Sequence, residues 1–315
     1  MTARPDRPGI GLSLPTWPRR DGTHASWPEM RGLARDVEAL GVDMLWVADH
    51  LVREVAGRPP IGFRECWTIL AAATEATSRI GIGPLVACTG FRNPGLLARM
   101  AMTLDEVSDG RLVLALGSGV PATDVSWQAF GFDAGRHVGR YAESVEIVAR
   151  LLRGETVTFE GEHVRTHGAT SGPPGPRPAG PPVWVSGKGE RTLGIAARWG
   201  DAVNVNVPLA SAEDAARVVR STAGACAAVG RDPASLPVTG VARLALDATG
   251  TAADRPGWLA GPPERVAATI RAIGEAGVRH LALYVGAEDD TSPYPALTAP
   301  VLDRFAAVMR AFDAG

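Results

Sequence analysis

The sequence predicts an α/β chain of the (β/α)8 (TIM) barrel class, and three observations carry that reading. Eight short apolar runs alternate with eight stretches of helical period. The length of 315 residues suits one such barrel. The stretch from Ile80 to Gly119 reads as strand, turn, amphipathic helix, stop and second strand. Its strands are apolar almost throughout, without alternation, as expected of strands buried on both faces of a parallel βαβ unit. In the helix between them, Asn93 stands at the N-cap and Pro94 at the first helical position, where its missing N–H costs nothing. Leu96, Leu97, Met100, Leu104 and Val107 mark its predicted apolar face, and Ser108-Asp109-Gly110 its stop.

The remaining elements follow in order. Strand one covers Ile10–Leu14, and a Pro-rich loop, 15–27, leads to a helix over Pro28–Leu40 that stops at Gly41. Strand two, Asp43–Ala48, ends at Asp49-His50. A loop holding Arg58-Pro59-Pro60 precedes helix two, Glu65–Thr77. After strand four comes an irregular segment, 118–136, and then helix four, His137–Leu152. Residues 156–166 read as a hairpin turned at Glu160-Gly161, and 167–182, with six prolines and four glycines, as an extended loop. Strand five is Val183–Ser186, helix five Glu190–Trp199, strand six Ala202–Val207 and helix six Ser211–Val229. Strand seven is Val238–Leu246, helix seven Pro262–Ala276, strand eight His280–Val285 and the last helix Pro300–Phe312. The long segments at 118–136 and 154–182 are insertions in one barrel domain spanning 1–315, since nothing resets the alternation.

Composition narrows the function classes. The chain is 45% hydrophobic and 21% charged, with a formal net charge of -2, so no basic stripe points to nucleic acid or to an anionic membrane. No apolar run is long enough to span a bilayer, and the N-terminus, MTARPDRPG, has no apolar signal region. Three scattered cysteines argue against disulfides and fit a reducing cytoplasm.

In a barrel of this class, chemistry sits where strands end and βα loops begin. Strand two delivers Asp49 and His50, either an acid/base pair or a capping carboxylate beside a packed histidine. Strand three delivers Cys88, a nucleophile or a small hydrophobe, with Asn93 in the following loop. Strand four delivers Gly117, Ser118 and Gly119. Strand five delivers Ser186, Gly187, Lys188 and Gly189, with Arg191 just beyond. SGKGER before a helix start is either a phosphate cradle of backbone N–H groups and cations or a tight turn with solvated charges. Walker A, HExxH and GxSxG patterns are missing, and His163 and His167 lack a third ligand at metal spacing. Trp127 and Phe130 in the irregular segment are candidates to wall a pocket, and Arg136, His137 and Arg140 either reach it or form a solvated helix start.

Taken together, WVADHL, ECWTILAAATEATSRIGIGPLV, FRNPGLLARMAMTLDEVSDGRLVLALGSG and PPVWVSGKGERTLGIAARWGDAVN resemble the bacterial luciferase-like oxidoreductases over residues 9–285. The resemblance implies a barrel that holds FMN or the deazaflavin coenzyme F420 at its mouth, with the phosphate near the strand-five loop. Asp49-His50, PLVACTGFRNP and LGSG are more similar to the deazaflavin branch. Ser118 stands where FMN monooxygenases of the family often carry an arginine. The resemblance places His50 beside the ring with Asp49 fixing its tautomer, and a non-proline cis peptide at Leu85–Val86 against the ring face.

One departure bears on the substrate. The sugar-phosphate dehydrogenases of that branch carry a catalytic glutamate after the strand-four glycines, and this chain has Val120. The expectation is therefore a cytoplasmic, homodimeric F420-dependent oxidoreductase acting on a small organic substrate other than a sugar phosphate. The alternatives are an FMN-dependent monooxygenase fed by a partner reductase and a barrel that binds a ligand without chemistry.

Overall fold

The computed structural model describes residues 7–19, 21–55, 58–246, 257–287 and 297–314; most of the N-terminal stretch read above for a secretion signal lies outside them. Strand β1 (Gly9–Ser13) leads through helix α1 (Trp27–Ala39) to β2 (Met44–Val47). A hairpin follows, β3 (Val52–Val55) and β4 (Arg58–Gly62), then α2 (Cys66–Ala76). The third stave comes in two parts, β5 (Gly81–Pro84) and β6 (Ala87–Cys88), and α3 (Pro94–Val107) follows it. After β7 (Leu114–Gly117) come the one-turn α4 (Ser126–Ala129) and the long α5 (His137–Leu152). A second hairpin, β8 (Val157–Glu160) and β9 (Arg165–Ala169), precedes β10 (Val183–Ser186) and α6 (Glu190–Trp199). The chain then runs through β11 (Ala202–Pro208), α7 (Ala212–Ala228), β12 (Val238–Leu246), α8 (Pro263–Glu275), β13 (Val278–Ala287) and α9 (Ala299–Asp313).

Nine strands form one parallel sheet in the order β5-β2-β1-β13-β12-β11-β10-β7-β6. Because β5 and β6 are halves of one stave, the nine strands make eight staves. The edges meet where Ile82 bridges Leu112, with Val113 N–H donating to Ile82 O at 2.8 Å. The sheet thus curls into the expected barrel.

Local signals account for most helix ends. The Asn93 side chain accepts from Gly95 N–H at 2.9 Å and Leu96 N–H at 3.2 Å. At the other end of α3, Asp109 and Gly110 both take positive φ, 53° and 76°. The buried face of α3 is Leu97, Ala101, Leu104 and Asp105, whereas Leu96 and Val107 are about half exposed. The predicted face was rotated because small Ala98 and Ala101, invisible to a search for large apolar residues, set the close approach to the sheet. The hairpin of β3 and β4 was read as a loop. Two prolines suppress a strand reading, yet an isolated two-stranded ladder tolerates them, pairing Val52 with Gly62 and Arg53 with Ile61. The hairpin of β8 and β9 turns over 161–164 rather than at Glu160-Gly161, and β9 runs into the stretch expected to be loop.

The main core lies between staves and helices, where each fully buried Val, Leu or Ile contributes roughly 1.5–3 kcal/mol. A second cluster fills the barrel: Met44, Trp46, Leu85, Val113, Trp184 and Tyr284 among others. Trp46 fits because its neighbours lack side chains. A Cβ on Gly11 would lie 2.2 Å from Trp46 Nε1, and one on Gly83 would lie 2.7 Å from its ring. Trp46 Nε1–H donates to His280 Nε2 at 3.2 Å, and burial pushes this histidine down to about 3. The interior around Trp46 is therefore filled, while a cavity of about 370 Å3 lies at the N-terminal ends of the staves, lined by Asp43, Met44, Gly81, Arg111 and Val113.

Candidate active site

A cavity of about 320 Å3 opens at the C-terminal ends of the staves. The end of β2 brings Asp49 and His50 to it, and the break between β5 and β6 brings Leu85, Val86 and Cys88. The end of β7 supplies Gly117, Ser118 and Gly119; the end of β10 supplies Ser186, Gly187 and Lys188. These predicted residues, from Asp49 to Lys188, thus meet in one place. The Leu85–Val86 peptide is cis. Val86 presses onto Gly117, where a Cβ would stand 2.4 Å from Val86 Cγ2.

Asp49 and His50 do not act on each other as expected. The Asp49 carboxylate, fully buried, takes a two-pronged ion pair from Arg92 at 2.6 and 3.0 Å and the N–H of Cys88 at 2.9 Å. Arg92 also reaches Glu65 at 3.0 Å. Adjacent residues at a strand end project to opposite sides, so Asp49 turns into the wall and ties β2 to β6.

The partner of His50 is Asp124, from the segment after β7. His50 Nδ1 lies 2.7 Å from Asp124 Oδ2. Burial raises the Asp124 carboxyl, but hydrogen bonds from His50 and Ser126 outweigh it and hold the group below the usual carboxylate range. Asp124 Oδ1 accepts from Ser126 N–H at 2.9 Å, and Ser126 Oγ in turn accepts from Leu51 N–H at 3.2 Å and Val52 N–H at 3.1 Å. Phe63 leans on the imidazole, ring centres 5.5 Å apart. No spacing rule links Asp124 to His50; the pair forms only when the segment folds back over β2.

Cys88 is a buried hydrophobe here. Burial and the nearby Asp49 charge push its thiol up to about 12, which removes the thiolate a nucleophile needs.

The strand-five loop is already closed on itself. Gly187 N–H donates to Asn204 O at 3.0 Å, and the N–H groups of Lys188 and Gly189 both donate to Thr192 Oγ1 at 3.2 Å. The expected cradle of these three amides is thus occupied by the chain itself. What the loop offers an anion is the exposed Lys188 ammonium at the cavity edge and the N-terminus of α6, since the Thr192 hydroxyl donates to Gly189 O at 3.0 Å. Beside it, the Tyr141 hydroxyl lies 2.9 Å from Leu116 O and 2.8 Å from Ser186 O, joining β7 and β10 where their ladder ends.

Three predicted residues stand outside the cavity lining. Asn93 spends its side chain on the α3 cap, Gly189 is the N-cap of α6, and the Arg191 guanidinium lies over Gly139 of α5. Nor do Trp127 and Phe130 wall the cavity. Trp127 is buried against Gly90, Gly119 and Phe91, while Phe130 is exposed and stacks on Phe132. Thr192 and Tyr284 line the cavity and were missed, Thr192 because it reads as a helix residue and Tyr284 because it reads as strand core. Among the described residues, no group of three or more His, Cys, Asp or Glu is placed to hold a metal, and no helix is long and apolar enough to cross a membrane.

Comparison with known proteins agrees with this architecture. An F420-dependent glucose-6-phosphate dehydrogenase of Intrasporangium calvum is 38% identical over 171 residues, 52% of this chain and 49% of that enzyme. The chain spans about half the length of the curated relatives it matches. An F420-dependent secondary alcohol dehydrogenase, solved with an F420-acetone adduct, superposes with a TM-score of 0.77 at 18% identity, covering 97% of this chain and 99% of that one. The monooxygenase RslO1 of Streptomyces bottropensis superposes with a TM-score of 0.74 at 22% identity, over 97% of this chain and 98% of its own. At these identities both structures speak for the fold alone. The pattern of the luciferase-like monooxygenases matches residues 10–257, and the chain belongs to that family.

Proposed function

We propose that the protein is an F420-dependent oxidoreductase that moves a hydride between the deazaflavin and a small organic substrate. The observation that carries this reading is the composition of the cavity at the barrel mouth: an apolar wall of Leu85, Val86 and Tyr284, a cation at one edge in Lys188, and a single carboxylate-paired histidine, His50. A flat, anionic, tricyclic cofactor needs those features. The fit is supported by the glycines. Gly117 and Gly119 leave backbone rather than side chain along one edge, and Lys188 with the α6 N-terminus meets negative charge. Leu85, Val86, Gly117, Ser118, Gly119, Ser186, Gly187 and Lys188 would hold the cofactor. Its ring supplies the two-electron carrier, and the protein supplies orientation and electrostatics. Val120 at the cavity edge brings no acid, which speaks against sugar-phosphate oxidation, and His50, paired with Asp124, is the group we assign to hold or move a proton.

Titration of the ligand-free protein with oxidised F420 and, separately, with FMN tests this. The expected result is micromolar F420 binding at least about tenfold tighter than FMN, a difference of about 1.4 kcal/mol. The opposite order would overturn it in favour of an oxygen-using flavin monooxygenase. Binding of neither would overturn the cofactor assignment altogether.

A further inference from the structure

We propose that Asp124 is the positioning residue that fixes His50 in its Nδ1–H tautomer, so that Nε2 is the basic nitrogen at the cavity. The role deepens the oxidoreductase reading and rests on it for its purpose, but the hydrogen bond itself is independent of any cofactor.

The argument begins with the inventory of ionisable groups around the cavity. They are Asp49, Cys88, Asp124, His137, Lys188 and Tyr284. Asp49 is spent on Arg92 and on Cys88 N–H, and Cys88 is held as a thiol. Asp124 is the carboxylate in contact with His50, at 2.7 Å. A carboxylate accepts and cannot donate, so Nδ1 must carry the hydrogen. The neutral ring is then basic at Nε2, and it becomes imidazolium by taking one proton there while Asp124 stays ionised. In the oxidising direction that proton would come from a substrate O–H, with a bound deazaflavin supplying the two-electron acceptor for the C–H hydride.

The support behind Asp124 suits a residue that orients another. Its second oxygen is fixed by Ser126 N–H, and Ser126 Oγ is fixed by the backbone of Leu51 and Val52, next to His50. The ring plane is set from another direction by Phe63. Both nitrogen identity and ring orientation are therefore decided before any ligand arrives.

The test uses nitrogen-15 NMR of histidine side chains in the ligand-free full-length protein, with the His50 signals assigned by their loss in His50→Gln. We expect the wild type to show Nδ1–H for His50. Asp124→Ala should lose that tautomer, because Nδ1–H loses its acceptor. F420 affinity should change by less than about threefold. Ser126→Ala controls for disturbance of the segment: it removes the hydroxyl that ties the segment to β3 but keeps the carboxylate, and it should retain the wild-type tautomer. The proposal is overturned if Asp124→Ala leaves the tautomer unchanged, or if Ser126→Ala changes it as far. Because these signals are read without cofactor, absence of F420 binding would sink the oxidoreductase reading and leave the tautomer result standing.

Discussion

Two histidines occupy the two ends of one barrel, and their surroundings differ in charge and in open space. At the floor, His280 is wedged against Trp46 and Trp184, with ring centres 5.6 and 5.3 Å away, and accepts from Trp46 Nε1–H. At the mouth, His50 lies beside a cavity and meets the Asp124 carboxylate. Burial without a counter-charge holds His280 neutral down to about pH 3. A histidine so placed is a piece of packing that happens to contain nitrogen. The same residue type at the mouth has a carboxylate on one side and open space on the other. The barrel interior thus shows that residue identity carries little functional information until its neighbours are known.

Three experiments would break or sharpen that contrast. The largest effect is expected from Arg92→Ala at the mouth. It strands the buried Asp49 carboxylate, and the loss of a partner in such a pair costs about 3–5 kcal/mol. Denaturant unfolding should show it. An unchanged midpoint would mean that charge at the mouth is solvated after all, and the line between floor and mouth would blur.

Next comes acid unfolding. His280 has its folded-state value depressed to about 3, against about 6.5 in an unfolded chain. Above about pH 6.5 neither state carries the proton and its share of stability is intact. As pH falls from there towards 3, the unfolded state gains a proton that the folded state refuses, so stability drops by up to about 1.4 kcal/mol per unit. His280→Gln keeps an acceptor for Trp46 without the titration. Its stability should decline less steeply between pH 6.5 and 4, and a slope equal to that of the wild type would show that the floor histidine is hydrated.

The smallest effect belongs to Thr192→Ala, which frees two N–H groups held at 3.2 Å in the strand-five loop. The expected cost is about 0.5–1.5 kcal/mol in thermal unfolding. F420 binding should fall severalfold with it if the hydroxyl also meets the ligand. A variant as stable and as tight-binding as the wild type would reduce Thr192 to a bystander.

Much of the frame was legible because barrel staves and helices are local objects. Asn93-Pro94 at one end and Asp109-Gly110 at the other define α3 without reference to anything else in the chain. The continuous apolar runs through Leu114 and Val183 announce strands buried on both sides. Ends of strands could be read too, and with them Asp49, His50, Gly117, Ser118 and Lys188 as cavity residues. What failed were several inferences about who touches whom. Asp49 neighbours His50 in sequence but faces the other way. Asn93 looked equally suited to a ligand and to a cap, and the cap took it. The amides of Gly187, Lys188 and Gly189 looked available because Thr192 was counted as helix. Asp124 sits 74 residues from its histidine in a stretch with no periodicity, and only three-dimensional closure reveals it.

Asp124 is carried by a connection rather than by a stave. Its backbone makes no ladder contact with the sheet, and its segment is tied to the staves by side chains: Asp124 to His50, Ser126 to the start of the β3 hairpin and Trp127 against Phe91. The acid–base character of the mouth is thereby separable from the architecture that presents it. A lineage can lengthen, shorten or exchange this one segment and obtain a histidine with a different partner, or with none, while the eight staves keep their register. Inheritance of the frame and innovation at the rim then proceed on separate accounts, which is how one barrel can come to serve many reactions.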